Sequence, residues 1–442
     1  MSEKPVKLVG FLCNWCSYAG ADLAGVSRLR YDTSIRIVRI PCSGRADPLL
    51  ALLALQQGAD GVLVSGCHPG DCHYSDGNFF ARRRFAIIHD LMDFLGMDTR
   101  ILQLSWVSAS EGKKWADVVN SVAEEVRAAR DDAKHTAISV NEAIPVPQGP
   151  KIKPLDEDPA ATEKLQKIAQ ELLSSGKVKA VLGHTRRKRN LPGVTAAFIS
   201  RPEDVKELLA FTGCVPNLSR YLKAAIKRYE GPVAMVGKGS DLLSVINLER
   251  EHQIPAGMVR RLALSCKGLV DPEGRLLGFC ANCLAGVLGA ADFMLGESPD
   301  MPAADDFADV RAIEALPREV RAAYWDEKFA TCLRCYACRN ACPSCFCKTC
   351  FAESRRPTWV FPSPSVMGNK FFHLIRAYHL AGRCSMCGEC ERVCPMALPL
   401  RTLARKAAKI VQERFGLLPS SNREEKNALS QFKPDEQVEF IR

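Results

Sequence analysis

Twenty cysteines stand among 442 residues, and their spacing says what chemistry they suit. Residues 331–351, TCLRCYACRNACPSCFCKTCF, hold seven of them, and RCSMCGECERVCP follows at 383–395. Each stretch contains C-x-x-C-x-x-C-x-x-x-C-P: Cys332, Cys335, Cys338, Cys342 and Pro343, then Cys384, Cys387, Cys390, Cys394 and Pro395. Such a pair of runs suits two [4Fe–4S] cubanes, with three thiolates of one run on one cubane and the fourth reaching across to the other. By this exchange Cys332, Cys335, Cys338 and Cys394 hold one cubane, and Cys384, Cys387, Cys390 and Cys342 hold the other. Disulfides or zinc do not explain the Cys-Pro endings. Cys345, Cys347 and Cys350 remain. They are either buried thiols near the clusters or three ligands of one more cluster completed from the middle of the chain, residues 161–295, and spacing does not decide.

A second group of cysteines is placed by alternating strands and helices. Over residues 5–130, KLVGFL (7–12), IRIVRI (35–40), GVLVSG (61–66) and RILQL (100–104) read as buried parallel strands. Helical patterns lie between them at about Pro48–Gln57, Phe79–Leu95 and Lys113–Arg130. The pattern implies an α/β, doubly wound sheet. Cys13 and Cys16 follow the first strand, Cys42 the second, and Cys67 and Cys72 the third. In an open α/β sheet the carboxyl ends of the strands form the ligand crevice, so five thiols should meet at one edge. They fit one cluster with one cysteine to spare. A lone C-x-x-C also fits zinc, but the cubane motifs in the same chain favour iron–sulfur. His68 and His73 adjoin these thiols, where holding the loops is a better reading than ligation.

The rest of the chain divides by composition. Residues 131–160 carry five prolines between Pro145 and Pro159 and read as a semi-extended linker. Residues 161–295 return to an α/β pattern, with a helix near Glu163–Ser174, a strand at KAVLGH (179–184) and a helix after Pro202. PVAMVGKGSD (232–241) then reads as strand, glycine turn and helix start, with Asp241 as N-cap. Gly237, Lys238 and Gly239 could let a phosphate or flavin approach the backbone, although the full dinucleotide fingerprint is missing. Cys214, Cys266, Cys280 and Cys283 suit a third [4Fe–4S] cluster. Residues 296–328 form a second, acidic linker with a lead-in helix, and residues 329–416 a two-cluster domain. A basic amphipathic helix spans Leu400–Phe415, and residues 417–442 read as a polar tail, disordered by default.

Bulk numbers exclude several classes. Hydrophobic residues make up 47% and charged residues 25%, as in an ordinary globular chain of two or three domains. No signal peptide and no run near the roughly 18 apolar residues of a membrane span is visible. The expected setting is cytoplasmic, where clustered cysteines are metal ligands or redox groups. The net charge of +10 would suit nucleic acid, but each thiolate-bound cubane brings about −2, so three or four would cancel roughly 6–8 charges. The basic runs Arg82–Arg84 and Arg186–Arg189 are short and read as solvated or protein-docking faces. No nucleic-acid partner is expected, and no catalytic constellation for group transfer or hydrolysis is present.

Three resemblances add to this reading. CNWCSYAGADLAGVSR, PCSGRADP, GCHPGDCHY and WVSASEGKKWADVVN resemble the delta subunit of methyl-viologen-reducing hydrogenase, over residues 5–130. That resemblance implies a flavodoxin-like domain with one [2Fe–2S] cluster on Cys13, Cys16, Cys42, Cys67 and Cys72, without saying which four. It also implies a heterodisulfide-reductase-A-like flavoprotein as partner. VLGHTR, AAFISRPEDV, VGKGSD, LSCKG and FCANC resemble the beta subunit of deazaflavin-linked hydrogenases and formate dehydrogenases. This implies iron–sulfur clusters and leaves FAD open, with Ser240 where many relatives have cysteine. GNKFFHLIRAYHLAGRC before the second cluster run resembles helical ferredoxin domains. Together they imply an electron-transfer subunit of an anaerobic, electron-bifurcating, heterodisulfide-reductase-like complex. The alternative is an FAD-containing oxidoreductase exchanging hydride with a deazaflavin or nicotinamide.

Overall fold

The computed structural model describes residues 5–135, 158–187, 193–210, 216–265, 291–296, 307–417, 422–436 and 438–442. It is mixed α/β with a helical carboxyl-terminal region. β1 (Leu8–Cys13), β2 (Ile35–Ile40), β3 (Gly61–Gly66) and β4 (Leu102–Trp106) form a parallel sheet in the order β2-β1-β3-β4. Leu8 pairs with both Ile35 and Gly61. Side chains alternate between two covered faces, as parallel strands require. Leu8, Leu12 and Leu63 pack with α1 (Ser17–Val26) and α4 (Gly112–His135), while Phe11, Val62 and Val64 pack with α2 (Pro48–Gln56) and α3 (Gly77–Phe94).

All four expected strands lie within two residues of their expected positions, but β2 is an edge strand and only its end residues Ile35 and Ile40 are buried. Helix α1 was not expected, because its buried side is made of small residues rather than an apolar stripe. Ser17, Gly20, Ala21 and Ala24 let it lie close to the chain after β4, where a Cβ on Gly20 would come 2.7 Å from the Ser108 carbonyl.

A second sheet follows the order β6-β5-β7-β8-β9, with β6 (Val194–Ile199) antiparallel to β5 (Ala180–Arg186). β7 (Val233–Gly237), β8 (Val259–Leu264) and β9 (Phe293–Leu295) continue parallel to β5. It carries α5 (Pro159–Ser174), α6 (Leu222–Tyr229) and α7 (Gly239–Arg250). The segment after Pro202 makes only a 3-10 turn, Pro202–Glu207. Asp241 is the third residue of α7 rather than its N-cap. Its carboxylate accepts from the Lys238 amide at 2.9 Å and pairs with Lys238 Nζ at 3.1 Å.

The remaining helices are α8 (Ala308–Glu314), α9 (Arg318–Ala330), α10 (Ala337–Ala341), α11 (Val366–His379), α12 (Glu389–Arg392) and α13 (Leu400–Phe415). They continue the amino-terminal core. The hydrophobic cluster under α3 runs on through Trp325, Phe329, Ile375, Tyr378 and Ile410. Trp325 Nε1 donates to the Phe94 carbonyl at 3.1 Å, and its ring stacks on Phe329 at 5.4 Å. The acidic stretch read as a linker thus ends in core helices. Its Asp309 accepts from Arg405 Nε at 2.9 Å and its Glu314 from Lys406 Nζ at 2.6 Å, which neutralises much of the basic face of α13.

The expected disordered tail is instead laid over α3 and β4. Phe432 stacks on Phe79 at 4.9 Å, and Phe440 on His89 at 4.0 Å. The Arg442 backbone bonds with Leu104 and Trp106 along β4, at 3.1 and 2.8 Å. Arg82 and Arg83, read as part of a basic surface, are buried and hold this segment through the Lys433 carbonyl and the Glu436 carboxylate. Isolated aromatic anchors among polar residues leave no periodicity in sequence. Among the described residues no helix is long and apolar enough to cross a membrane.

Trp325→Ala should lower stability by about 3–5 kcal/mol, read from the denaturant midpoint. Residues 5–130 and the carboxyl-terminal helices should unfold in one transition, and separate transitions would contradict a shared core.

Candidate metal centres

The loops after β1, β2 and β3 bring the five amino-terminal thiols together. Cys13 Sγ lies 3.6 Å from Cys67 Sγ, and Cys42 Sγ lies 3.7 Å from Cys72 Sγ. Two thiolates on one tetrahedral metal with bonds of about 2.3 Å would sit roughly 3.8 Å apart, so both pairs have that spacing. Cys16 bonds toward Cys67. Among the described residues no three His, Cys, Asp or Glu side chains converge as one metal ion would require; here the thiols meet in pairs. Cys13 accepts from Cys42 and Cys67, which pulls its ionisation far down, while both donors are pushed well above the ordinary thiol range. Bringing four of these sulfurs to the thiolate state together needs a bound cation.

The surroundings are built close around the sulfurs. Gly44 N donates to Cys42 Sγ at 3.4 Å, and the buried Asn78 ties down the third loop through the Cys67 and His68 carbonyls at 3.2 and 2.6 Å. A Cβ on Gly77, where α3 begins, would stand 2.3 Å from Cys42 Sγ and 3.3 Å from Cys72 Sγ. His68 Nε2 is 2.7 Å from Glu111 Oε2. The Glu111 carboxyl is held down to about 2 by the Ser108 amide and then by His68. His73 lies face to face with the half-exposed Trp15 at 3.7 Å. Both histidines therefore engage neighbouring loop side chains.

The two carboxyl-terminal runs repeat one backbone geometry. Arg334 and Tyr336 in the first, and Met386 and Gly388 in the second, take positive φ at corresponding positions, and α10 and α12 follow. Non-glycine residues adopt that conformation rarely, and here it turns amides toward sulfur. Met386 N donates to Cys384 Sγ at 3.4 Å, while the Arg334 and Glu389 amides favour the thiolates of Cys332 and Cys387. Cys332 and Cys338 interact with Cys394, whereas Cys342 lies within electrostatic reach of Cys384, Cys387 and Cys390. Cys342 thus lies near the first three thiols of the second run, and Cys394 near Cys332 and Cys338 of the first. Burial pushes Cys338 and Cys390 up to about 12 and Cys384 to about 11.

Cys345 bonds to Cys342, which lowers its ionisation, and Cys350 interacts with Arg339. Cys347 is exposed. Phe346, between Cys345 and Cys347, packs into the core around β7.

Helix α11 supplies residues that the sequence reading missed. Its Phe371, Phe372, Ile375 and Tyr378 are recognisable by their apolar spacing, and all four are buried. Asn369, His373 and Arg376 follow one another at i, i+4 and i+7 and are buried too. Asn369 Nδ2 donates to the Phe329 and Cys332 carbonyls at 2.9 and 3.0 Å. His373 Nε2 lies 3.4 Å from Cys332 Sγ, and burial, then Arg376 and Arg334, bring its ionisation down to about 3, so it is neutral. The Arg376 guanidinium donates to the Cys338 carbonyl at 3.2 Å and stays charged despite burial because Cys390, Cys342, Cys345 and Cys338 surround it. A buried polar stripe, N-x-x-x-H-x-x-R, beside a cysteine run was the available signal.

The second α/β unit docks on the second run. Ser244 Oγ is 2.7 Å from Ser385 Oγ, and Asn247 Nδ2 donates to the Arg383 carbonyl at 2.9 Å. Cys214, Cys266, Cys280 and Cys283 lie outside the described residues. The Gly237-Lys238-Gly239 turn has a packing role, since a Cβ on Gly237 would press to 2.8 Å from Asp241 Cβ.

Residues 8–129 match the family described as methyl-viologen-reducing hydrogenase, delta subunit. An iron–sulfur subunit of the vhc F420-non-reducing hydrogenase of Methanococcus voltae is 49% identical over 122 residues, 28% of this chain and 85% of that protein. The chain belongs to the delta-subunit family. The corresponding iron–sulfur subunit of Archaeoglobus profundus is 47% identical over 128 residues, 29% of this chain and 93% of that protein. A component of the ferredoxin/F420H2-dependent CoB-CoM heterodisulfide reductase of Methanosarcina acetivorans is 48% identical over 119 residues, 27% of this chain but only 15% of that protein. Residues 328–398 of this delta-subunit relative match the 4Fe-4S dicluster domain.

Gly77→Ala tests the amino-terminal site. The backbone there is ordinary for alanine, so the expected loss of the amino-terminal iron–sulfur signal, with the dicluster signals kept in EPR, would report the crowding of Cys42. Gly25→Ala in α1, where a Cβ meets nothing within 4 Å, should leave every signal unchanged and add about 0.4–1 kcal/mol of stability.

Proposed function

We propose that this chain is a multi-cluster electron relay between a flavoprotein partner and a dehydrogenase, hydrogenase or reductase in an anaerobic complex. At the coarser level, its relatives are iron–sulfur subunits of hydrogenases and heterodisulfide reductases, and its carboxyl-terminal segment is a 4Fe-4S dicluster domain, as an electron-transfer subunit needs. The observation that carries the reading is one buried guanidinium set among thiols of both runs, Cys338 and Cys342 from the first and Cys390 from the second. An uncompensated buried cation is costly, and neutral thiols do not balance it. Two thiolate-bound cubanes do.

In this reading Cys332, Cys335, Cys338 and Cys394 hold one cubane, and Cys384, Cys387, Cys390 and Cys342 the other. Four of Cys13, Cys16, Cys42, Cys67 and Cys72 hold a [2Fe–2S] group, whose fit is supported by the paired sulfurs and the space left by Gly77. A third cubane belongs to Cys214, Cys266, Cys280 and Cys283, within a unit of hydrogenase beta-subunit type. Such groups take up and release single electrons with little atomic rearrangement. The partner on the amino-terminal unit is a heterodisulfide-reductase-A-like flavoprotein, and electron bifurcation is the setting. The shared core supports the relay by fixing the amino-terminal thiols and the dicluster segment in one body.

Iron and sulfide analysis with EPR on anaerobically purified protein should give one [2Fe–2S] signal and two or three cubane signals. Cys335→Ala should remove one cubane alone. Cys13→Ala or Cys67→Ala should change only the amino-terminal signal, or leave it intact at the spare thiol. Fewer than two cubanes would overturn the reading, and bound FAD with oxidation of a deazaflavin or nicotinamide would mark an oxidoreductase in its own right.

A further inference from the structure

Arg376 occupies an unusual position. It is 6% exposed, and among the described residues no carboxylate pairs with it. Its guanidinium donates to the Cys338 carbonyl, and its Nε has no hydrogen-bond partner. Cys338 belongs to one crossed set, Cys342 and Cys390 to the other, and all three lie within its electrostatic reach. It also bonds to Cys345, one of the thiols that the cubane spacing leaves over. Asn369 fixes the start of the same helix on the first cysteine loop, and His373 lies against Cys332 one turn before Arg376. The cation is therefore held between the sets by a helix that is itself bonded to the first of them.

We propose that Arg376 sets the reduction potentials of both carboxyl-terminal cubanes, its fixed cation favouring the reduced state at each. The proposal rests on the ligand assignment above. Reduction brings in one electron and breaks no bond, so the buried charge falls by one. A cation in a water-poor interior stabilises that added charge far more than one in solvent. Arginine suits the role because its charge does not titrate over any working pH, and because its fork can donate to sulfur and carbonyl at once. Cys345, bonded to both Arg376 and Cys342, extends the same charge balance toward the second set.

The test is a dithionite titration, followed by EPR, of wild type, Arg376→Lys, Arg376→Gln and Arg376→Met, each with iron and sulfide analysis. The neutral variants should keep both cubanes and reduce at lower potential at both, by at least tenfold in the equilibrium constant, which is about 59 mV for one electron. Arg376→Lys should stay closer to wild type. Unchanged potentials in Gln and Met, a shift at one cubane only, or equal values for Lys and Gln would each overturn the proposal. If the neutral variants lose iron, loss from both sites with Arg376→Lys intact supports the charge requirement, and loss from one site or equal loss in Lys overturns it. Wild type lacking two cubanes would sink the ligand assignment itself, whatever the variants do.

Discussion

A guanidinium shut away from water beside thiols from two cysteine runs is the constraint on which the carboxyl-terminal half depends. Arg376 can be there only if negative charge is there too, and the chain offers sulfur rather than carboxylate to supply it. The rest follows from holding that arrangement still. Asn369 pins the helix to the first loop, His373 stacks on Phe329 at 5.0 Å, and the apolar side of α11 enters the large core through Leu374, Ile375 and Tyr378. One helix thus has two unlike faces, a polar one toward the cysteines and an apolar one toward α3.

That second face explains why the two ends of the chain form one body. The amino-terminal sheet needs a cover over α2 and α3, and it takes it from α9, α11, α13 and the carboxyl-terminal tail. The acidic residues of α8 offset the lysines and arginine that α13 would otherwise bury unpaired. The formal charge of +10 therefore overstates the free basic surface. Arg82, Arg83, Arg376 and Arg405 are all internal.

Legibility in the sequence followed the length of the pattern. The four amino-terminal strands were readable because two covered faces demand continuous apolar runs, and the dicluster segment because cysteine spacing is local. α1 was hidden because small residues carry its packing, and Asp241 was misplaced by three positions because its carboxylate caps the Lys238 amide from inside the helix. The tail was hidden for a different reason. Phe432 and Phe440 gain their meaning only from Phe79 and His89, more than 340 residues away in the chain, and no local window contains both partners. Arg376 stood in plain view inside an apolar helix, where an arginine is usually read as a solvated interruption.

The two thiol groups answer the same electrostatic problem in different ways. At the amino terminus the sulfurs share protons among themselves, with Cys13 receiving bonds from Cys42 and Cys67. Metal can enter there only as those protons leave, so loading is tied to pH. The carboxyl-terminal thiols are also pushed up by burial, but a permanent cation already lowers the cost of making them anionic. Part of the charge compensation is thus built into the fold at one site and must arrive with the metal at the other. This difference in Arg376, more than any difference in cysteine number, separates the two electrostatic environments within one chain.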